Sequence, residues 1–310
     1  MQIKKFEMHA IDGALLKTYE SKLPLINGYT KENRSTYFEY HQVDHAVVPI
    51  LKYHIYDGYQ ECIHGFSTRQ GGVSKEHLSS MNLSSSRGDD LSNVMENYRR
   101  YGIAAQFDPS KLVCSDQVHE TTIYVATEKD AGRGTTDKEK LVAVDGLVTN
   151  VYDLPLMTFY ADCVPIYFFD PIKKVVGLAH SGWRGTVKNI AEVMIRTMQE
   201  TYGCMPDNII CAIGPSICES CYEVGVDVAE AFQNAYSPEQ YKKLINQKSD
   251  EKYQLDLHKA CYYNLVNAGV LESHIALPDL CTCCNPSVFY SHRASKGLRG
   301  NLGAVIMLRK

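Results

Sequence analysis

The sequence predicts an α/β protein whose helices and strands form layers around a mixed sheet. Three observations support this prediction. Three short apolar runs lie close together in the middle of the chain and indicate buried strands, at 156–160, 164–169 and 175–179. A glycine-rich turn and a helical pattern follow the last of these runs directly. Further strand-like runs and helical patterns continue to the C-terminus, as is typical of an α/β chain.

The first part of the chain has a different character. Residues 1–60 are rich in Tyr, His and Lys, show weak periodicity and contain turn signals such as Asp57-Gly58. We expect them to form an N-terminal extension of short strands. Beyond them, 91–101 has the pattern of a short helix, and the β-favouring residues of 112–126 predict an extended strand region.

The second half of the chain supplies most of the predicted helices. Apolar residues recur at helical spacing after residue 186, until Gly203 ends the pattern. The remaining predicted elements are a strand at 208–213, helices at 226–236, 238–246 and 257–269, and strands at 288–292 and 302–308.

Composition and charge exclude several classes of protein. The 310 residues are 45% hydrophobic and 22% charged, which matches an ordinary globular protein and excludes a disordered or coiled-coil chain. The net charge of −4 supplies no broad positive field for a phosphate backbone. We therefore expect no nucleic-acid partner.

The apolar segments are too short or too interrupted to cross a bilayer, which takes roughly 18–20 residues. The richest of them, 154–169, contains Asp162 and two prolines. The first 16 residues lack the apolar core of a secretory signal. We expect a cytoplasmic protein without a membrane partner, in which the eleven cysteines remain thiols.

Common catalytic motifs are absent from the sequence. There is no G-x-S-x-G and no G-x-x-x-x-G-K-[ST], and Gly132-Arg133-Gly134 lacks the third glycine of a dinucleotide fingerprint. The H-x-E and P-C-x-x-C pair of the cytidine-type zinc deaminases is missing as well. Serine hydrolase, P-loop and simple dinucleotide interpretations therefore lose their support.

Three polar side chains stand where predicted strands end: His119, Cys163 and His180. Two imidazoles and one thiolate form a ligand set that suits Zn²⁺ with an open fourth position. The alternative is one buried cysteine and two histidines that are hydrogen-bonded in the core. Spacing alone leaves both interpretations open.

A series of motifs, in order from about residue 60 to the C-terminus, resembles the laccase-domain family. The motifs are His64-Gly65-Phe66-Ser67-Thr68-Arg69, Asn82-Leu83-Ser84, Gln117-Val118-His119, Asp145-Gly146-Leu147-Val148-Thr149, Ala161-Asp162-Cys163-Val164-Pro165, Ala179-His180 with Gly182-Trp183-Arg184-Gly185-Thr186, Ile213-Gly214-Pro215 and Tyr222-Glu223-Val224-Gly225. This family is also catalogued as multicopper polyphenol oxidases and is understood as purine nucleoside phosphorylases with adenosine deaminase activity. The resemblance assigns residues 61–310 to one such domain.

The resemblance implies a layered α/β/β/α sandwich with mixed sheets, related to cysteine-hydrolase folds. It also implies that His119, Cys163 and His180 bind a catalytic zinc. The implied reaction converts phosphate and adenosine, inosine, guanosine or methylthioadenosine to the free base and ribose 1-phosphate. Purine nucleosides and phosphate are the expected partners. Zinc can also activate water for attack on the purine C6 of adenosine, which is deamination.

Phosphorolysis requires a phosphate-binding group beside the metal. Arg69 and Arg184 are the candidates, because arginine suits bidentate contacts with phosphate and both adjoin glycine-rich turns. Each has a structural alternative, in which Arg69 braces its loop and Arg184 caps or pairs at a helix start. Asp162, Gln117 and Asn82 are expected to support the site from behind the ligands.

Three other functions use the same residues. The first is a copper-dependent polyphenol oxidase, although none of the eleven histidines forms an H-x-H pair. The second is a cysteine hydrolase or amidase with Cys163 as nucleophile and His180 as its base. The third is a non-catalytic module in which zinc only stabilises the fold.

The remaining cysteines include a group that is a candidate for a second, structural metal site. Its members are Cys218, Cys221, Cys281, Cys283 and Cys284. The run Cys281-Thr282-Cys283-Cys284, taken together, lacks a usual zinc spacing, so the sequence does not favour this site.

Overall fold

Two large β-sheets face each other in the centre of the protein, which a computed structural model describes for residues 13–135 and 141–310. The described strands are β1 (Thr36–Val43), β2 (Ala46–Tyr53), β3 (Cys62–Ser67), β4 (Val113–Asp116), β5 (Ile123–Val125), β6 (Leu141–Val142), β7 (Gly146–Thr149), β8 (Leu156–Tyr160), β9 (Val164–Asp170), β10 (Val175–Ser181), β11 (Ile210–Ile213), β12 (Glu223–Val224), β13 (Ile245–Ser249), β14 (Lys252–Leu255), β15 (Ile275–Ala276) and β16 (Leu302–Leu308).

The two large sheets are both mixed. The first contains seven strands in the order β1-β2-β3-β16-β8-β4-β6, and the second contains six in the order β15-β11-β9-β10-β7-β5. In the first, β4 runs parallel to β8, whereas β16 is antiparallel to β8. In the second, β10 is antiparallel to both of its neighbours, and β5 runs parallel to β7. A smaller antiparallel sheet joins β12, β14 and β13.

Helices pack against both large sheets. They are α1 (Gly13–Tyr19), α2 (Leu91–Ala105), α3 (Trp183–Val187), α4 (Ile190–Tyr202), α5 (Val226–Ala235), α6 (Pro238–Leu244), α7 (Leu257–Asn267) and α8 (His292–Ser295). Helix α2 packs on β1, β2 and β3, whereas α4 packs on β10, β7 and β5. Between these layers β10 contacts β16 and β8 across the two sheets.

Burial follows from this layered arrangement. Strands β9 and β10 lie between the other sheet and the helices, so every residue of both strands is buried. The segment that enters α4 is defined by capping: the Asn189 side chain accepts from the Glu192 N–H, and Gly203 ends the helix at φ 68°. Helix α4, defined in this way, packs against the buried strand β10.

The predicted mixed α/β class is confirmed, and the three central strands lie where the sequence places them. Two local predictions are wrong. The predicted strand at 288–292 is not formed, because 288–291 is irregular and His292 begins α8. The region 112–126 forms two short strands in different sheets rather than one.

The N-terminal segment joins the first sheet directly. Strand β1 pairs with β2, and β2 pairs with β3, so the hairpin continues a sheet whose other strands come from the rest of the chain. The part of the predicted extension at 1–12 lies outside the described residues. Among the residues that the structure describes, no helix combines the length and apolar character that a bilayer crossing requires.

Candidate metal centre

The structure brings the three predicted ligands together where interior strands of the two large sheets end. His119 lies in the loop after β4, Cys163 in the connection from β8 to β9, and His180 near the end of β10. Their candidate ligand atoms all lie within 4.8 Å of one another, and Cys163 Sγ is 3.8 Å from His119 Nε2. The two imidazole rings meet edge to face, with centroids 4.8 Å apart. One compact two-histidine, one-cysteine cluster results.

A buried aspartate, Asp145, orients both histidines. Its carboxylate accepts hydrogen bonds from the backbone N–H groups of Val118, His119 and Glu120, at 3.2, 2.9 and 2.9 Å. It also lies 2.9 Å from His180 Nδ1. Because Nδ1 is occupied in this way, Nε2 of His180 is the nitrogen available to a metal. Asp145 therefore holds the His119 loop and the His180 ring at the same time.

The electrostatics of the cluster favour a charged thiolate. Burial raises the pKa of Cys163, but the neighbouring His180 charge and the hydrogen bond with His119 outweigh it and lower the pKa to about 6. Burial lowers the pKa of His180, but Cys163 and Asp145 outweigh it and raise the pKa to about 9. In the metal-free protein the thiolate and imidazolium therefore form an ion pair at neutral pH.

This charge distribution predicts the reactivity of the metal-free protein. Alkylation of Cys163 by iodoacetamide is expected to titrate with a midpoint near pH 6 instead of the ordinary thiol value of 9.0. Since the pKa in the folded protein is lowered, the thiolate is present above pH 6 and is lost as the pH falls through it. The measurement is the initial rate of Cys163 labelling against pH, followed by peptide mass spectrometry.

The matched control for this titration is His180→Gln, which removes the adjacent positive charge. Its midpoint should move toward the ordinary thiol value. A wild-type midpoint near pH 9 would contradict the proposed ion pair.

Backbone conformation at the site is strained in two places. His119 has φ 65° and Asp162 has φ 88°, which is the left-handed region that non-glycine residues rarely adopt. The Asp145 hydrogen bonds hold the first position. Asp162 is held by Thr282 Oγ1 at 2.6 Å and the Arg293 N–H at 2.7 Å, both donating to its carboxylate. These contacts agree with a supporting role for Asp162 beside Cys163.

The donor set fits a Zn²⁺ ion with an open coordination position. Two imidazole nitrogens and one thiolate match three-ligand catalytic zinc sites. Gly182 leaves the space that the cluster needs, since a Cβ there would lie 2.7 Å from His119 Cδ2 and 3.4 Å from Cys163 Sγ. The cluster borders solvent-accessible cavities, so a substrate or water can reach it.

Two adjoining cavities meet at the cluster. The residues common to both are Arg87, His119, Ala161, Cys163 and Arg299. The first cavity extends along the serines 84–86, Ser115 and Asn301, and is mostly polar. The second extends along Trp183 and Tyr222. The cluster thus lies between a polar chamber and a chamber with aromatic walls.

The predicted supporting residues Gln117 and Asn82 organise the first cavity. Gln117 pairs with the backbone of Phe159, donating at 3.0 Å and accepting at 2.7 Å, which fixes the segment leading to His119. Asn82 Oδ1 accepts from the Ser84 and Asn301 N–H groups, at 3.2 and 3.0 Å. Both side chains thus hold neighbouring backbone segments in place.

The two predicted phosphate-binding arginines lie in different places. Arg184 borders the second cavity, with its guanidinium 4.3 Å from the Trp183 ring centroid. Arg69 is buried and borders neither of the cavities at the cluster. Its guanidinium donates to the carbonyls of Ser79 and Pro286 at 2.8–3.0 Å. Those contacts are the loop-bracing alternative for Arg69.

Sequence reasoning missed three residues of this site. Asp145 stood in a recognised motif but received no role, although a charged residue at the start of a buried strand is a signal for one. Arg87 and Arg299 were overlooked because their loops meet only in the fold. The contact between Arg87 Nε and Asn301 Oδ1, at 3.3 Å, joins these distant segments.

Together the fold and the cluster define a layered α/β protein with a candidate mononuclear metal site open to two cavities. The family described as multi-copper polyphenol oxidoreductase laccase matches residues 63–309, and the chain belongs to this family.

Relatives of the chain extend over most of its length. It is 37% identical over 254 residues to "Purine nucleoside phosphorylase YlmD" of Bacillus subtilis, covering 81% of this chain and 90% of that one. It is 33% identical over 235 residues to "Adenosine deaminase RL5" of an unknown prokaryotic organism, covering 75% and 89%. The crystal structure of YlmD from Geobacillus stearothermophilus matches with a TM-score of 0.80 at 35% identity, covering 87% and 99%.

Proposed function

We propose that the protein is a cytoplasmic, zinc-dependent purine nucleoside phosphorylase with adenosine deaminase activity. The names of its relatives support both activities, and the two-histidine, one-cysteine cluster supports a metal at the centre. When bound, zinc would supply a Lewis acid that activates water for deamination and stabilises developing negative charge. His119, Cys163 and His180 would hold it, and Asp145 would orient the histidines.

The phosphorylase proposal rests on two arginines beside the cluster, Arg87 and Arg299, one of which has an unpartnered N–H group. Arg299 Nε is buried and has no hydrogen-bond partner among the described residues. Burial and repulsion from Arg87 lower the pKa of Arg299 to about 10. A dianionic phosphate between the two guanidinium groups would satisfy the unpartnered N–H and relieve the repulsion. We therefore assign phosphate binding to Arg87 and Arg299, in place of Arg69.

The second cavity suits the nucleoside. Its wall combines aromatic Tyr222 and Trp183 with apolar Ile217 and Leu257, which offers a surface for a planar purine. Because both arginines border both cavities, a phosphate in the polar chamber would face a ribose held at the junction. Phosphorolysis requires that arrangement: an anion held against ribose C1′ while the purine leaves. Arg184 lines the second cavity but not the first and would contact the nucleoside rather than the phosphate.

The arginine assignment predicts a selective defect in Arg299→Gln. The Michaelis constant for phosphate is expected to rise about 10- to 100-fold, because one charge-assisted contact is lost. The constant for the nucleoside should change much less. Steady-state phosphorolysis with either substrate varied measures both values.

The control for this prediction is Arg196→Gln, which removes an exposed arginine on α4, away from both cavities. It should leave both constants unchanged. An unchanged Michaelis constant for phosphate in Arg299→Gln would rule out the proposed contact between Arg299 and phosphate.

The proposed function is tested by incubating metal-quantified protein with adenosine, with and without phosphate, and separating the products. Phosphate-dependent adenine and ribose 1-phosphate are expected, together with phosphate-independent inosine. Absence of both the phosphorolysis products and inosine, with zinc-loaded protein, would overturn the proposal.

A cysteine hydrolase is the second candidate, and one observation favours it. Cys163, His180 and Asp145 are arranged as a thiol, an imidazole and an orienting carboxylate, the logic of a catalytic triad. Chelation separates the two functions. Loss of nucleoside turnover on chelation and its return with zinc support the metal mechanism, whereas turnover that survives chelation supports the hydrolase.

A copper oxidase receives less support from the geometry. Among the described residues, only His119 and His180 belong to a metal-candidate cluster, whereas a multicopper centre needs many more imidazoles. Metal analysis of the purified protein and an assay with a phenolic substrate test this alternative.

A further inference from the structure

A second group of candidate metal ligands, made of four cysteines, lies close to the candidate metal centre. Cys218 and Cys221 follow β11, and Cys281 and Cys284 follow β15. The four Sγ atoms all lie within 4.8 Å of one another. Cys284 Sγ is 3.8 Å from Cys218 Sγ and 3.5 Å from Cys221 Sγ. Two segments that are distant in sequence thus supply one compact group of four thiols.

The spacing of the sulfurs is that of a tetrahedral metal site. Four thiolates at about 2.3 Å from one Zn²⁺ ion lie about 3.8 Å from each other, close to the distances observed. A disulfide would bring two sulfurs to about 2.05 Å, and all four cysteines are free thiols. The thiols are therefore arranged around a common centre rather than in bonded pairs.

The spacing of the four cysteines in the sequence is also typical of a zinc site, once the structure shows which cysteines belong together. Cys218 and Cys221 form one C-x-x-C pair, and Cys281 and Cys284 form another. Cys283, between the second pair, obscured this pattern in the sequence analysis. Two C-x-x-C pairs from separate segments are a usual donor set for structural zinc.

Backbone groups support charge on the sulfurs. The N–H groups of Cys218 and Cys284 point at Cys281 Sγ, at 3.2 and 3.4 Å. The Thr282 N–H donates to the Ser216 carbonyl at 3.1 Å, which ties the two segments together next to the cluster. Cys218 and Cys281 are buried, whereas Cys221 and Cys284 are partly exposed. Four thiolates this close are stable only when a cation compensates their charge.

We propose that Cys218, Cys221, Cys281 and Cys284 bind a second Zn²⁺ ion, which has a structural role. All four positions are occupied by protein sulfur, so the site has no open position for a substrate. This site does not depend on the proposed function, because it shares no ligand with the first cluster.

The site would brace one wall of the second cavity. Tyr222 directly follows Cys221, and Arg293 donates to the Cys221 carbonyl at 3.2 Å while it packs on the Tyr222 ring. Thr282, between the two ligands of the second pair, donates to Asp162, which precedes Cys163. The second zinc would therefore hold the Tyr222 wall of the second cavity against the segment that carries Cys163.

Metal counting tests the proposal. The wild-type protein is expected to bind two zinc ions per chain, whereas Cys163→Ala and Cys284→Ser should each bind one. Cys283→Ser is the matched control and should retain two, since Cys283 contacts Cys221 without belonging to either cluster. If Cys163→Ala retained no zinc, or Cys284→Ser lost none, the second site would be disproved. A wild type with one zinc that Cys284→Ser loses would support the second site while contradicting the first.

Cobalt substitution keeps the test valid if Cys284→Ser fails to fold. Cys163→Ala, loaded with Co²⁺, should show the strong thiolate-to-cobalt charge transfer of a four-sulfur tetrahedral site. Its absence, or iron in place of zinc in the purified protein, would overturn the assignment. In folded Cys284→Ser, the midpoint of thermal unfolding should fall by at least about 5 °C, because a link between two segments is lost.

Discussion

Cys163→Ala is expected to abolish zinc binding at the first cluster and to lower nucleoside turnover by far more than 100-fold. The thiolate is the only anionic ligand of the three, and two neutral imidazoles alone hold zinc weakly. Replacing a group behind a metal ligand typically costs about 10- to 100-fold, so removal of a ligand should cost more. Metal analysis and phosphorolysis rates, measured on the same preparation, check both effects.

The control for this prediction is Cys283→Ser, a partly exposed thiol that belongs to neither cluster. It should keep full turnover. If Cys163→Ala retained normal turnover, the metal mechanism and the hydrolase alternative would both be excluded. Chelation of the wild type then distinguishes a ligand from a nucleophile, because only the ligand role makes turnover depend on metal.

Asp145→Asn is the second variant with a large expected effect. We expect a 10- to 100-fold loss of zinc affinity, because a neutral amide holds His180 less firmly than a carboxylate does. We also expect about 2–4 kcal/mol of destabilisation, since buried backbone N–H groups lose a charged acceptor. Competition with a zinc chelator measures the affinity, and denaturant unfolding of the metal-free protein measures the stability.

The electrostatics of Asp145 give this prediction a pH dependence. Burial raises its pKa, but the hydrogen bonds from His180 and from the Glu120 and Val118 N–H groups outweigh burial and lower it. A carboxylate with a lowered pKa contributes stability above its ordinary value and loses that contribution as the pH falls. The difference in free energy of unfolding between the wild type and Asp145→Asn should therefore become smaller at acidic pH.

Asp170→Asn is the matched control. Asp170 is also a buried aspartate that accepts two backbone N–H groups, from Ile172 and Lys173, each at 2.8 Å. It lies at the far end of β9 from the cluster. Asp170→Asn should destabilise the fold without weakening zinc binding. Equal losses of zinc affinity in both variants would show that Asp145 acts only through stability.

The sequence predicted the strands correctly where both faces of a strand are buried. Strands β8, β9 and β10 are continuous apolar runs, since they lie between two other layers, and their predicted ends differ from the observed ends by at most two residues. The segment 288–291 has a similar apolar character without being a strand. Val288, Phe289 and Tyr290 are buried by packing in an irregular loop, which composition alone cannot distinguish from a strand.

The same limit applies to the site. The sequence places His119, Cys163 and His180 at strand ends, and the structure brings them together. Strand ends alone left their role open between metal ligands and core side chains, and the family resemblance favoured the ligands. Sequence patterns do not show which loops meet in the fold. Arg87 and Arg299 line one cavity because two loops that are distant in sequence come together in three dimensions. Arg69 adjoins a glycine-rich turn like a phosphate ligand, yet its guanidinium is turned inward to backbone carbonyls. Side-chain direction, rather than residue type, distinguishes the inward-facing Arg69 from the cavity-lining Arg87 and Arg299.

The origin of the three ligands has a consequence for the whole molecule. His119 follows a strand of the seven-stranded sheet, His180 belongs to the six-stranded sheet, and Cys163 lies on the segment that passes from one sheet to the other. A bound ion would act as a cross-link between the two halves of the sandwich. Removing it should increase amide hydrogen exchange on both sides of the inter-sheet interface together, rather than only in the loops around the ion.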